Sequence, residues 1–146
     1  MAITRFAEAA WSGDLLTGSG TINYVTSGAF TRLPVTWASR TEQHDGRTSP
    51  EELIASAHAS CFSMAFSAGL ARNSTPATKL DVKCVITFDK TDAGWRITKS
   101  DLTVRGTVEG IDNAKFVELA NAAKDGCPIS SALKGNVELS VDAALA

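Results

Sequence analysis

Over the first fifty positions apolar and polar residues alternate in short runs broken by glycine, a pattern of strands. Residues 3–11 (ITRFAEAAW), 21–27 (TINYVTS) and 33–39 (LPVTWAS) read as three strands, with turns marked by Gly13, Gly18, Gly20 and Gly28. Residues 40–49 (RTEQHDGRTS) have few apolar anchors and read as a loop, where site residues tend to gather. At Ser49 the period changes. Ser49 is placed to cap a helix, Pro50 suits its first position, and Glu52 completes a Ser-x-x-Glu capping box. Glu51 and Glu52 complement the positive end of the helix dipole, and the helix should run to Arg72 or Asn73. On a helical wheel Cys61 shares its face with Ile54, Ala57, His58, Met64, Ala65 and Ala68. Ser56, Ser60, Ser63 and Ser67 form a separate small-residue stripe that permits close approach by another backbone.

Residues 80–89 then alternate strictly, with Leu80, Val82, Cys84, Ile86 and Phe88 on one face. After a turn from Asp92 to Gly94, residues 95–110 read as a second strand with Leu102, Val104 and Val108 apolar. Asp112 is placed to cap a helix that ends at Gly126; residues 127–134 start a fresh short helix, and residues 136–143 close as a strand. The pattern predicts an α+β fold: N-terminal β-strands, a long central Cys-bearing helix, then β-β-α-β, in one domain over residues 1–146.

Composition narrows the function classes. The chain of 146 residues, 44% hydrophobic and 21% charged, suits a soluble domain with a substantial core. A net charge of -2 gives no electrostatic reason to expect nucleic acid or anionic lipid as partner. The start MAITRFAEAAW lacks a basic segment followed by a long apolar run, so a cytoplasmic location is expected and the three cysteines are read as reduced thiols. Between Glu52 and Arg72 there is no Asp, Glu, Lys or Arg, a span about long enough to cross a bilayer. Its serines, His58 and Gly69 make it too polar for a lipid-facing helix, so burial by protein is expected instead, with no membrane partner.

The three cysteines are not equivalent. Cys84 is in phase with the apolar face of its strand and reads as a small buried hydrophobe. Cys127 lies between the helix-ending Gly126 and Pro128, near free N–H groups that favour a thiolate. Cys61 lies mid-helix among alanines that leave room for a ligand, where simple packing competes with nucleophilic chemistry. His58, one turn earlier, is within reach to activate it, although such a histidine is more often a hydrogen-bonded core residue. His58, Cys61 and Cys127 lack the Cys-x-x-Cys or paired-His spacing of a metal site. GSGTIN at 18–23 precedes a strand and is no dinucleotide fingerprint, so no cofactor is expected. On these residues alone a Cys61–His58 hydrolase and a binding protein for small hydrophobic molecules both stay open.

The run SPEELIASAHASCFSMAFS at 49–67, followed by GCPIS at 126–130, resembles the OsmC/Ohr family of organic hydroperoxide reductases. The likeness covers essentially the whole chain, including the Gly-rich β opening and the DAGWRITK hairpin region. His58 resembles the OsmC branch, since the Ohr branch tends to carry an aromatic residue there. The resemblance implies a thiol-dependent peroxidase. Cys61 matches the peroxide-reacting cysteine and Cys127 the resolving one; Glu51 matches the acidic residue that holds the active-site arginine, and Arg40 that arginine, with Arg47 in the same loop as the alternative. It implies a sulfenic acid on Cys61 that condenses with Cys127 to a disulfide, an organic hydroperoxide as substrate, a dithiol reductant such as a lipoylated protein, and an intertwined homodimer. These residue types make chemical sense: a free thiol near pKa 8.5 is mostly protonated at neutral pH, so a reacting cysteine needs a permanent cation beside it. The Ala- and Met-lined face beside Cys61, with Phe62 and Phe66 near it, is expected to fit an organic hydroperoxide better than hydrogen peroxide. A dimer is also expected on geometry, because Glu51 and Cys61 stand about 15 Å apart along a continuous helix. An antiparallel two-fold pairing would bring one chain's Glu51 towards the other's Cys61 and bury the serine stripe.

Overall fold

The computed structural model describes residues 1–146. Its elements in chain order are β1 (Ala7–Ser12), β2 (Ser19–Val25), β3 (Thr31–Val35), α1 (Trp37–Thr41), α2 (Pro50–Arg72), β4 (Ala77–Thr91), β5 (Gly94–Val108), α3 (Asn113–Gly126), α4 (Pro128–Leu133) and β6 (Glu138–Leu145). The α+β order predicted from the sequence is the observed one. The contacts divide the chain into two compact units, Met1–Leu53 and Ile54–Ala146.

In the first unit β1, β2 and β3 form an antiparallel sheet in that order. β1 begins at Ala7, four residues later than its apolar pattern predicts, and Ile3 and Phe6 are exposed. The expected strand at 33–39 ends at Val35. Its last three residues open α1 instead, and α1 extends to Thr41 inside the expected loop. The cause is local: the Thr36 hydroxyl accepts from the Ser39 N–H at 3.1 Å and the Ser39 hydroxyl accepts from the Thr36 N–H at 3.0 Å. This reciprocal cap satisfies two backbone donors that the strand pattern leaves open. α2 starts where predicted, with the Glu52 N–H donating to Ser49 Oγ at 3.2 Å.

In the second unit β4 and β5 form a long antiparallel hairpin, and β6 pairs with β5 in parallel. Parallel neighbours need a crossover, which α3 and α4 supply. The strict alternation expected along β4 holds through Ile86, then slips at a bulge between Thr87 and Phe88. The core joins three elements: Phe62, Phe66 and Leu70 from α2, Leu102 and Val104 from β5, and Phe116, Ala120 and Ala123 from α3. The 62-66-70 spacing puts one side chain per turn on the same face of α2. Phe66 meets Phe116 edge-on with ring centroids 4.9 Å apart. Phe62 and Phe66, expected near the Ala- and Met-lined face beside Cys61, are both fully buried in the core, because large aromatics contribute most when withdrawn from water altogether. α2 is the one helix long and apolar enough to cross a membrane by length and composition.

Candidate active site

Cys127 owes its position to its neighbours. Pro128 occupies the first turn of α4, and a residue before proline is held extended; Cys127 accordingly has φ -71 and ψ 126. It ends α3 and opens α4 at once, and it is fully buried. Cys61 stands mid-way along α2, half-buried. The fold brings the two Sγ atoms to 3.0 Å, in hydrogen-bond contact as free thiols. A disulfide requires about 2.05 Å, so closure asks for an approach of only about 1 Å.

Their proton affinities differ in an unexpected sense. Burial pushes the Cys61 thiol up, the bond to Cys127 adds to the rise, and the Ile129 N–H works against it. Burial also opposes charge on Cys127, but it is outweighed: the Cys61 thiol, the Ser130 N–H and hydroxyl, and the Ile129 N–H together hold its pKa below the ordinary value. As a neutral thiol Cys127 makes no side-chain cap bond to α4; sulfur is a poor acceptor until it is charged. These groups favour a thiolate on Cys127 over one on Cys61, in keeping with the place of Cys127 at a helix start. The reason is that α4 turns its donors to Cys127, while Cys61, mid-helix, has its own backbone N–H groups already spent.

His58 is fully buried and does not pair with Cys61 as a hydrolase would require. Its Nδ1 meets Ser100 Oγ of β5 at 2.7 Å and its Nε2 meets Ser130 Oγ of α4 at 2.8 Å. Burial lowers its pKa from the ordinary 6.5, so the ring is neutral at neutral pH. Cys84 packs against the core as predicted, yet its sulfur also lies 3.3 Å from Ser100 Oγ. Ser100 and Ser130 escaped the sequence reading. Their one signal was polarity at positions that prove almost wholly buried, 0% and 3% exposed.

Arg40 and Glu51 meet within the first unit. Arg40 Nη2 donates to Glu51 Oε1 at 2.6 Å and Nε to Oε2 at 3.2 Å, a two-pronged contact that fixes the guanidinium plane. Arg47 is exposed and does not share this contact. The Arg40 guanidinium also lies 5.5 Å from the Trp37 ring centroid. Beside it is a cavity of about 360 Å³ lined by Trp11, Leu15, Val35, Trp37, Arg40 and Pro50. The predicted site residues thus assemble as two pairs, each inside its own unit.

Residues 43–142 match the family described as OsmC-like protein. The chain is 40% identical over 139 residues to peroxiredoxin OsmC of Escherichia coli (strain K12), covering 95% of this chain and 96% of that protein. It belongs to the OsmC family. The OsmC chain is also 30% identical over 96 residues to the organic hydroperoxide resistance protein OhrB of Bacillus subtilis, covering 65% of one and 68% of the other. The crystal structure of that OhrB superposes with a TM-score of 0.73 over 94% of this chain and 97% of that one, at 24% identity. An organic hydroperoxide resistance protein from Elizabethkingia anophelis shares the OsmC fold with a TM-score of 0.76 over all of both chains, at 18% identity.

Proposed function

We propose that this chain is a cytoplasmic thiol peroxidase that reduces organic hydroperoxides, and hydrogen peroxide less well. The observation that carries the reading is the approach of Cys61 and Cys127, 66 residues apart in sequence, to 3.0 Å as free thiols. At that distance the two sulfurs share one hydrogen bond, so a thiolate on either one accepts from its partner's S–H. The Cys61 thiolate attacks an oxygen of the peroxide; the O–O bond breaks, an alkoxide leaves and takes up a proton as alcohol, and Cys61 becomes a sulfenic acid. The Cys127 sulfur then attacks Cys61, the S–O bond breaks, the hydroxide leaves as water, and a disulfide remains. An external dithiol, such as a lipoylated protein, returns the pair to thiols by exchange. Arg40, held by Glu51, supplies the cation that favours thiolate on Cys61. The aromatic-walled cavity next to that guanidinium supports an organic substrate, which carries an apolar body behind a polar O–O–H end.

The working form we propose is a homodimer in which Arg40 and Glu51 of one chain serve Cys61 of the other. Two features support a second copy: β1 is exposed along its whole length with Trp11 on it, and Ser56, Ser60 and Ser67 of α2 are exposed together with Met64. The test of the activity is direct. Reduced protein is treated with an organic hydroperoxide and its thiols are mapped by mass spectrometry. The expected product is a Cys61–Cys127 disulfide with Cys84 free, no reaction in Cys61→Ser, and a sulfenic or over-oxidised Cys61 in Cys127→Ser. Sustained turnover by Cys61→Ser would refute the reading.

A further inference from the structure

The peroxidase mechanism makes no use of His58, yet its hydrogen bonds join the same two helices as the thiol pair. His58 and Cys61 lie three residues apart on α2, so they share one face over a single turn. Cys127 and Ser130 lie three apart at the start of α4. The Ser131 N–H donates to the Cys127 carbonyl at 3.0 Å and the Lys134 N–H to the Ser130 carbonyl at 2.9 Å, which fixes their spacing. Two side-chain contacts connect the helices: Cys61 Sγ to Cys127 Sγ at 3.0 Å, and His58 Nε2 to Ser130 Oγ at 2.8 Å. Since 58 meets 130 and 61 meets 127, the segments run antiparallel past each other and the two contacts are neighbouring cross-ties. α4 brings little of its own to this arrangement. Its six residues are too few for a helix stable by itself. Ile129 and Leu133 are only half-buried, and Ser130 is its one buried side chain. A buried hydroxyl is held by its hydrogen bond rather than by apolar surface, and the partner here is His58. The other ring nitrogen, Nδ1, meets the fully buried Ser100 Oγ of β5 at 2.7 Å, so His58 ties α4 to the sheet as well as to α2.

We infer that His58 is a positioning residue: by holding Ser130 it anchors α4 against α2 and β5 and keeps the Cys127 sulfur within disulfide-forming reach of Cys61. Closing a disulfide depends on how much of the time the two sulfurs are held together, and a tie one turn away raises that fraction. With the tie removed, α4 is free to part from α2, and each closure must first order it again. The consequence for catalysis rests on the peroxidase reading. Cys127 meets the sulfenic acid on Cys61 before a second peroxide does, and so prevents its over-oxidation.

The test reads the thiol pair directly. Reduced protein is equilibrated with mixtures of glutathione and glutathione disulfide. As the pair closes, its two thiols are oxidised and one glutathione disulfide is reduced to two glutathiones. Mass spectrometry gives the fraction of Cys61–Cys127 disulfide, with Cys84 read separately, and hence the equilibrium constant for closure. Loss of one buried hydrogen bond should lower that constant about tenfold in Ser130→Ala. His58→Leu, of similar volume and without polar atoms, should lower it at least as far. Adding Ser130→Ala to His58→Leu should then cost nothing further, since both act through one bond. Losses that simply add would belong to two separate structural effects and overturn the inference, as would an unchanged constant in Ser130→Ala. No peroxide is present, so this measurement judges the anchor whether or not the peroxidase reading holds. A single dose of organic hydroperoxide judges the rest. Ser130→Ala should leave more sulfinic acid on Cys61 relative to disulfide than the unmodified protein does, and an equal ratio overturns the role in resolution. If Cys61 of the unmodified protein is not oxidised at all, the peroxidase reading falls and that role falls with it.

Discussion

Arg40 makes the contact on which its neighbours depend. The Glu51 side chain is 10% exposed and its two oxygens are both engaged by one guanidinium, so Arg40→Ala leaves a nearly buried carboxylate without its cation. We expect a loss of about 2 kcal/mol in urea unfolding, below the cost of breaking a fully buried pair because Arg40 itself is partly solvated. If Arg40 also serves the thiolate, its removal raises the Cys61 pKa further. The thiolate fraction at neutral pH then falls, slowing peroxide reaction on the order of tenfold for each unit of pKa, and the rate recovers as pH rises towards the new value. Stopped-flow traces over a pH series check this. The same slowing in Arg47→Ala, with Arg40→Ala unaffected, would reverse the assignment. At this scale Cys61 and Cys127 were singled out from their own sequence contexts, and Arg40 and Glu51 through resemblance; the structure brings each pair into contact. His58 was read as a core histidine with hydrogen bonds, which it is, but its partners Ser100 and Ser130 lie 42 and 72 residues away and no local pattern announces them.

Among the elements, the helix signals were the most legible because caps are local. Ser49, Pro50 and Glu52 place the start of α2, and Asp112 places α3, where its carboxylate accepts from the Lys115 N–H at 2.8 Å. The same chemistry explains the miss at α1, where Thr36 and Ser39 carried a capping signal inside an apparently β-like run. What strands lack is a local record of their partners. β5 depends on Gly106, where a Cβ would come within 2.6 Å of the Phe116 ring and 3.0 Å of a Leu80 methyl. Phe116 is fully buried and cannot swing aside. Gly106→Ala should therefore force α3 from the sheet and lower stability by about 1–3 kcal/mol, read as a fall in the denaturation midpoint. A midpoint equal to the unmodified protein's would mean that α3 yields without strain.

At the scale of the molecule, the proposed dimer is open to complementation. Neither Glu51→Ala nor Cys61→Ser should work well alone, but chains mixed and refolded together should regain activity in the heterodimer, with sedimentation reporting the assembly. A fully active monomer would show that no second copy is needed. The sequence by itself determined the α+β order, the helix boundaries that caps define, and the difference between the cysteine in an apolar strand and the two outside one. Those properties depend on residues within a turn or two of each other, where side-chain period and backbone donors act directly. Only the tertiary structure decided that Phe62 and Phe66 belong to the core, that β6 runs parallel to β5, and that the Cys61 and Cys127 sulfurs stand 3.0 Å apart. Each of these is settled by groups distant in the chain, by which apolar faces meet and which N–H and O–H groups remain free to donate, and such competition leaves no trace in local pattern.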